Sequence, residues 1–211
     1  MGEYPAALEF HEKALEIRQN GLPANHPDLA SSYNNIAGVY NDMGEYSKAL
    51  SFYEKDLEIS QRTLPSTHPD LATSYNNIAN VYYYMGDYSK ALTYNEKALE
   101  IRQKSLPPNH PSLAISYSNI AGVYNGMDEY SKALSFYEKV LDIRKNSLPP
   151  NHPNFGKLYN NIGLVYENMK EYLKAIDFYE RALANEVHSL PSDHPDLEQL
   201  RKTIENIRQK L

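Results

Sequence analysis

His-Pro occurs at 26–27, 68–69, 110–111, 152–153 and 194–195, each pair 42 residues after the one before. Met1, Met43, Met85, Met127 and Met169 keep the same step, and so do Tyr4, Tyr46, Tyr88, Tyr130 and Tyr172. Self-similarity at a fixed period of about 20 to 50 residues marks a solenoid or array, in which each unit buries its apolar face against its neighbours. Several registers stay in step without an insertion, so this period outranks any local pattern in the 211 residues.

Each period holds two helical patterns. Asp28 to Asp42 places Leu29, Tyr33, Ile36, Ala37 and Tyr40 three and four apart, on one stripe. Pro27 suits the first helical position, where its missing N–H costs nothing, and His26 falls at the N-cap. Asp28 then sits where the helix dipole favours an anion. Gly44 ends this helix, as a residue free to take a left-handed conformation. Glu45 to Arg62 repeats the stripe with Tyr46, Ala49, Leu50, Tyr53, Leu57 and Ile59. Leu64-Pro65-Ser66-Thr67-His68-Pro69 then stops it, because proline bars helical continuation. No strand pattern competes. The sequence predicts ten helices: a lone second helix over 4–20, four full pairs, and a terminal helix over 195–210. The last keeps Leu197, Leu200, Ile204, Ile207 and Leu211 on one stripe amid polar residues, as a cap requires. The chain opens in mid-repeat, as expected of a segment of a longer chain or of a frayed first helix.

Tyr75, Ile78, Ala79, Tyr82, Gly86, Tyr88, Ala91, Tyr94, Ala98 and Leu99, followed by Ile101 and the Leu106-Pro107 turn, resemble the tetratricopeptide family in its 42-residue, kinesin-light-chain-like form. The resemblance runs the whole length. It implies an all-α, right-handed superhelical solenoid of antiparallel helix pairs: one domain over 1–211, with a partial repeat at 1–25, full repeats at 26–67, 68–109, 110–151 and 152–193, and a cap at 194–211. Small residues such as Ala37 and Ala49 let helix axes approach to about 8 Å.

Several positions break the pattern. Asp56 stands where Ala14, Ala98, Val140 and Ala182 stand elsewhere, and Ser60 replaces the arginine of Arg18, Arg102 and Arg144. Asn95 replaces the aromatic of Tyr53, Tyr137 and Tyr179. These read as drift in a redundant array, the other reading being that Asp56 is an inter-repeat hydrogen-bond acceptor. Asp128 and Lys170 replace the turn glycine, at a cost of about 1 kcal/mol each if the site is left-handed.

Composition narrows the function. A formal charge of −6 with no basic run gives no footprint for a phosphate backbone, so no nucleic acid partner is expected. No apolar run is long enough for a bilayer, and Gly2 lacks the Ser or Thr at position 6 that a myristoyl anchor favours, so no membrane partner is expected either. The N-terminus lacks the pattern of a signal peptide. Without cysteine or an Asn-x-Ser/Thr sequon, the chain suits the cytoplasm. The periodic histidines invite a metal, but equivalent residues of stacked repeats stand at least about 8–10 Å apart. Zinc needs its nitrogens within about 2 Å. They read as N-caps, with no metal or cofactor. No Gly-x-Ser-x-Gly elbow or phosphate-cradling loop occurs, and Glu54 and Glu58 read as a solvated helix face, so no catalytic residue is expected.

In this family the first helix of each repeat lines the concave face. Carried over, the resemblance points inward Ser31, Asn34, Asn35, Gly38 and Asn41; Thr73, Asn76, Asn77, Asn80 and Tyr83; Ile115, Ser118, Asn119, Gly122 and Asn125; and Lys157, Asn160, Asn161, Leu164 and Glu167. Asparagine is a mediocre helix former, so pairs recurring in mid-helix need a reason. A ladder of amides matched to the N–H and C=O of an extended peptide is one; tying down a neighbouring turn is the other. The expected role is a non-catalytic interaction scaffold for a protein or peptide partner whose bound segment is extended and largely neutral. The alternatives are the C-terminal regulatory or targeting part of a larger enzyme, such as an ADP-ribosyltransferase, or a kinesin-light-chain-like cargo adaptor, which needs a heptad coiled coil.

Overall fold

The computed structural model describes residues 3–211, so Met1 of the methionine series and Gly2 of the anchor argument lie outside the described residues. Ten helices follow one another: α1 (Glu3–Gly21), α2 (Pro27–Asp42), α3 (Tyr46–Thr63), α4 (Pro69–Tyr84), α5 (Tyr88–Ser105), α6 (Pro111–Gly126), α7 (Tyr130–Ser147), α8 (Pro153–Asn168), α9 (Tyr172–Glu186) and α10 (Pro195–Arg208). No strand occurs among the described residues. They form two compact units, one ending at Leu106 with α1–α5 and one over Pro107–Leu211 with α6–α10.

The helix boundaries follow the repeat chemistry. His26, His68, His110, His152 and His194 each hold an extended N-cap, and each Nδ1 accepts the N–H two residues on at 3.2 Å. That bond satisfies one of the donors a helix N-terminus leaves open. The histidines thus act as the expected caps. Each first helix ends in a paired reversal: the Gly44 N–H donates to the Asn41 carbonyl and the Glu45 N–H to the Tyr40 carbonyl, and the same bonds recur at 86–87, 128–129 and 170–171.

This reversal needs a left-handed residue. Gly44 and Gly86 supply it at φ +75° and +77°, while Asp128 and Lys170 are forced to φ 60°. Aspartate tolerates that region better than lysine, and the Tyr130 hydroxyl donates to Asp128 Oδ1 at 2.7 Å. Lys170→Gly is therefore expected to stabilise the chain by about 1 kcal/mol, and Asp128→Gly by less. Urea midpoints of the two variants check the order; a destabilised Lys170→Gly would contradict it.

In the first unit, α2 packs on α3 and α4 on α5 through larger interfaces than those joining α1 to α2 or α3 to α4. In the second, α6 packs on α7 and α8 on α9 in the same way. Buried alanines, Ala37 with Ala49 and Ala79 with Ala91, keep the pairs close. Stacked rings fasten each pair, with centroids 5.6 Å apart for Tyr40–Phe52 and Tyr82–Tyr94, 5.5 Å for Tyr124–Phe136 and 5.4 Å for Tyr166–Phe178. Lys48, Lys90, Lys132 and Lys174 each lie over the first ring of their pair.

Candidate functional site

None of the residues expected to face a partner is fully buried. Ser31, Asn35, Thr73 and Lys157 are exposed; Asn34, Asn41, Asn76, Asn77, Asn80, Tyr83, Ser118, Asn119, Asn125, Asn160 and Asn161 are half-buried. In the first unit, Ser31, Asn34 and Asn35 of α2 meet Thr73 of α4 around a cleft of about 310 Å³. In the second, Lys157, Asn160 and Asn161 of α8 meet α10 around a cleft of about 400 Å³. The other expected residues line neither cleft. Asn125 Oδ1 accepts from Asn168 at 3.1 Å, and Asn41 Oδ1 is buried without a hydrogen-bond partner. Tyr83 belongs to an aromatic group with Tyr84 and Tyr88, at 5.7 and 5.6 Å. Tyr84 also stacks on Tyr46 at 6.0 Å yet is 60% exposed, a feature the sequence reading missed.

At the floor of the first cleft lies Asp56, 5% exposed. Its carboxylate accepts from Asn34 Nδ2 at 3.2 Å, Ser60 Oγ at 3.2 Å and Ser74 Oγ at 2.7 Å, joining α2, α3 and α4. Reading Asp56 and Ser60 as drift is therefore corrected: Asp56 is an inter-repeat acceptor, and Ser60 is one of its donors. Asn34 is correspondingly tied to the scaffold by one of its amide hydrogens.

The neighbouring junctions show what these two residues replace. At α1/α2, Arg18 Nη1 donates to the Asp28 carbonyl at 3.0 Å and to Ser32 Oγ at 2.6 Å. At α7/α8, Arg144 donates to the Asn154 carbonyl. The corresponding acceptors at α3/α4 are the Asp70 carbonyl and Ser74 Oγ, and here Ser60 stands in the arginine's place. At α9/α10 Glu186 holds the arginine's position and lines the second cleft, its Oε2 buried without a hydrogen-bond partner.

Burial pushes the Asp56 carboxyl above the ordinary aspartate value of 3.8; the hydrogen bonds from Ser74, Asn34 and Ser60 hold it back, and Asp70 adds to the rise. A raised folded-state value means the native chain holds this proton more tightly than the unfolded one. The stabilising effect is complete below 3.8 and is lost as pH rises through the folded-state value. Asp56→Asn removes that loss, so the melting temperature of the variant relative to wild type should increase from acid to neutral pH. A difference independent of pH, or one running the other way, would show that burial does not dominate this carboxyl.

Among the described residues no group of three or more His, Cys, Asp or Glu could hold a metal ion, and no helix is long and apolar enough to cross a membrane.

The tetratricopeptide repeat family profile matches four overlapping stretches, residues 1–62, 28–104, 70–146 and 112–185. The chain belongs to the tetratricopeptide repeat family. Solved structures agree with this tetratricopeptide fold. A Podosopora anserina protein of the kinesin-light-chain type, built of nearly identical TPR-like repeats, is 25% identical, with TM-score 0.75 over 90% of each chain. BtubC from P. vanneervenii is 21% identical, with TM-score 0.80 over 99% of this chain and 84% of its own. The apo form of RapI is 23% identical, with TM-score 0.70 over 86% of this chain and 63% of its own. No curated protein matches the chain.

Proposed function

We propose that this tetratricopeptide array is a non-catalytic cytoplasmic scaffold that holds an extended, largely neutral peptide segment of a partner protein against its leading helices. The observation that carries the reading is the recurrence of asparagine pairs on α2, α4 and α8, all half-buried except the exposed Asn35, at or beside polar clefts. An amide both donates and accepts, so a row of them can meet the alternating N–H and C=O groups of an extended chain. The leading helices carry few charges, with Lys157 the one cation among the inward positions, so strongly acidic peptides should bind poorly.

Short random peptides displayed on phage and selected on the wild-type chain supply the probe. For the best neutral binder, the double variant Asn76→Ala/Asn77→Ala should weaken affinity about tenfold by fluorescence polarisation. Raising the salt should change the wild-type value little. Affinity held within about twofold while the melting temperature drops would assign these amides to the scaffold instead. Steep loss of binding with salt, or selection of acidic peptides, would overturn the neutral-groove reading.

A further inference from the structure

We propose that the cleft between α2, α3 and α4 receives one arginine side chain of the bound peptide, with the Asp56 carboxylate, the Asp70 carbonyl and the Ser74 hydroxyl as its acceptors. The proposal rests on the groove reading above and adds a side-chain preference to it.

The template is internal. Arg18 shows where a guanidinium belongs at such a junction: on the carbonyl of the second residue of the next helix and on the serine one turn later. Ser32 accepts that guanidinium while its own hydroxyl donates to the Asp28 carbonyl at 3.1 Å. Ser74 holds the same position, its oxygen 3.2 Å from the Asp70 carbonyl while its hydrogen goes to Asp56 at 2.7 Å, so both acceptors are kept while the arginine has become Ser60. A cleft of about 310 Å³ lies at Ser60, the position that Arg18, Arg102 and Arg144 fill at three other junctions.

The companion exchange fixes the chemistry of the occupant. Asp56 places a buried carboxylate at the cleft floor, with no cation paired to it among the described residues. Two carboxylate oxygens offer about four acceptor positions, and Asn34, Ser60 and Ser74 use three. A buried carboxylate without a counter-ion is costly, and an incoming cation recovers that cost. A planar guanidinium with several fixed donors suits a carboxylate, a carbonyl and a hydroxyl facing one space better than a compact, strongly hydrated ammonium does. Ser31, Asn34, Asn35 and Thr73 line the same cleft, so an arginine entering it lies beside the amides proposed to hold the peptide backbone. The second cleft differs, because Lys157 already sets a positive charge near Glu186.

Acetyl-arginine-amide titrated into the chain reads the cleft without the rest of the groove. Amide NMR shifts should concentrate at Asp70, Thr73 and Ser74, and acetyl-citrulline-amide should bind at least about tenfold more weakly, with acetyl-lysine-amide between them. Asp56→Asn, which keeps the shape, and Ser60→Arg, which restores the side chain found at 18, 102 and 144, should each weaken arginine binding by at least about tenfold. Circular dichroism confirms that each variant keeps its helices, and if one unfolds the other decides. Equal binding of arginine and citrulline, or undiminished arginine binding by a folded Ser60→Arg, overturns the proposal. Failure here with a neutral peptide still sensitive to Asn76→Ala/Asn77→Ala sinks the arginine site and leaves the groove reading standing. Arginine binding combined with indifference of peptides to those asparagines gives the reverse.

Discussion

Ile78→Ala is expected to remove about 2–5 kcal/mol of stability, the range for deleting a buried aliphatic side chain that leaves a cavity. Ile78 is fully buried in α4, within a cluster that draws Ala37 from α2, Tyr53 and Leu57 from α3, and Ile101 from α5. Its loss is therefore felt by four helices at once. In a repeat array the elements rest on their sequence neighbours and have no separate core to fall back on. The urea midpoint should fall while the slope is retained, since the surface exposed on unfolding hardly changes. A loss below about 1 kcal/mol would mean that the cluster can collapse around the gap, and that the stripe of Leu71, Ile78 and Val81 is not the core it resembles.

Gly163→Ala is expected to cost about 1–3 kcal/mol, although alanine is the better helix former by about 1 kcal/mol. Gly163 in α8 takes the place of Ala37, Ala79 and Ala121, so the substitution would merely restore the residue of the other repeats. In this pair, however, an added Cβ would stand 2.9 Å from Tyr179 Cδ1 and 3.0 Å from Cε1. The ring has nowhere to retreat: Tyr179 is 3% exposed, and its hydroxyl donates to Glu167 Oε2 at 3.0 Å. Gly122→Ala in α6 is the matched control, with nothing within 4 Å of the added carbon, and should gain about 0.5–1 kcal/mol. Parallel thermal melts of both variants check the contrast. Equal gains would show that α8 and α9 part easily.

The fold was legible because its determinants repeat. His-Pro signals and the apolar stripe recur every 42 residues, with turn glycines at 44 and 86, and the observed helices begin and end within two residues of the patterns they set. The left-handed sites at Asp128 and Lys170 were readable for the same reason: a position is defined by its equivalents even when its own residue is unsuitable. What escaped was pairwise. Asp56 and Ser60 each look like isolated lapses in the pattern, and only the packing of α3 on α4 reveals that the Asp56 carboxylate accepts from both Ser60 and Ser74. Two departures four residues apart on one helix were the available signal, because that spacing shares a face. Gly156 was invisible in the same way. Its N–H donates to Asn185 Oδ1 at 2.9 Å, and a Cβ there would meet Glu186 Cγ at 2.8 Å, both residues of a helix 29 or more positions away. Asn95 was noted as a missing aromatic, but not that its Oδ1 would be buried without a hydrogen-bond partner. Such contacts depend on how closely two particular helices approach, which a repeat average does not encode.

The bonds that distinguish the α3/α4 seam are made by side chains at four places, 34, 56, 60 and 74, all within a span shorter than one period. Their set is therefore portable. Moved by two whole periods, it would need Asn and Ser at 118 and 158, where Ser118 and Leu158 now stand, as well as Asp and Ser at 140 and 144, and the original seam could then be closed by an ordinary arginine. An array of this kind can be edited as a string of interchangeable couplings, its backbone serving each choice alike.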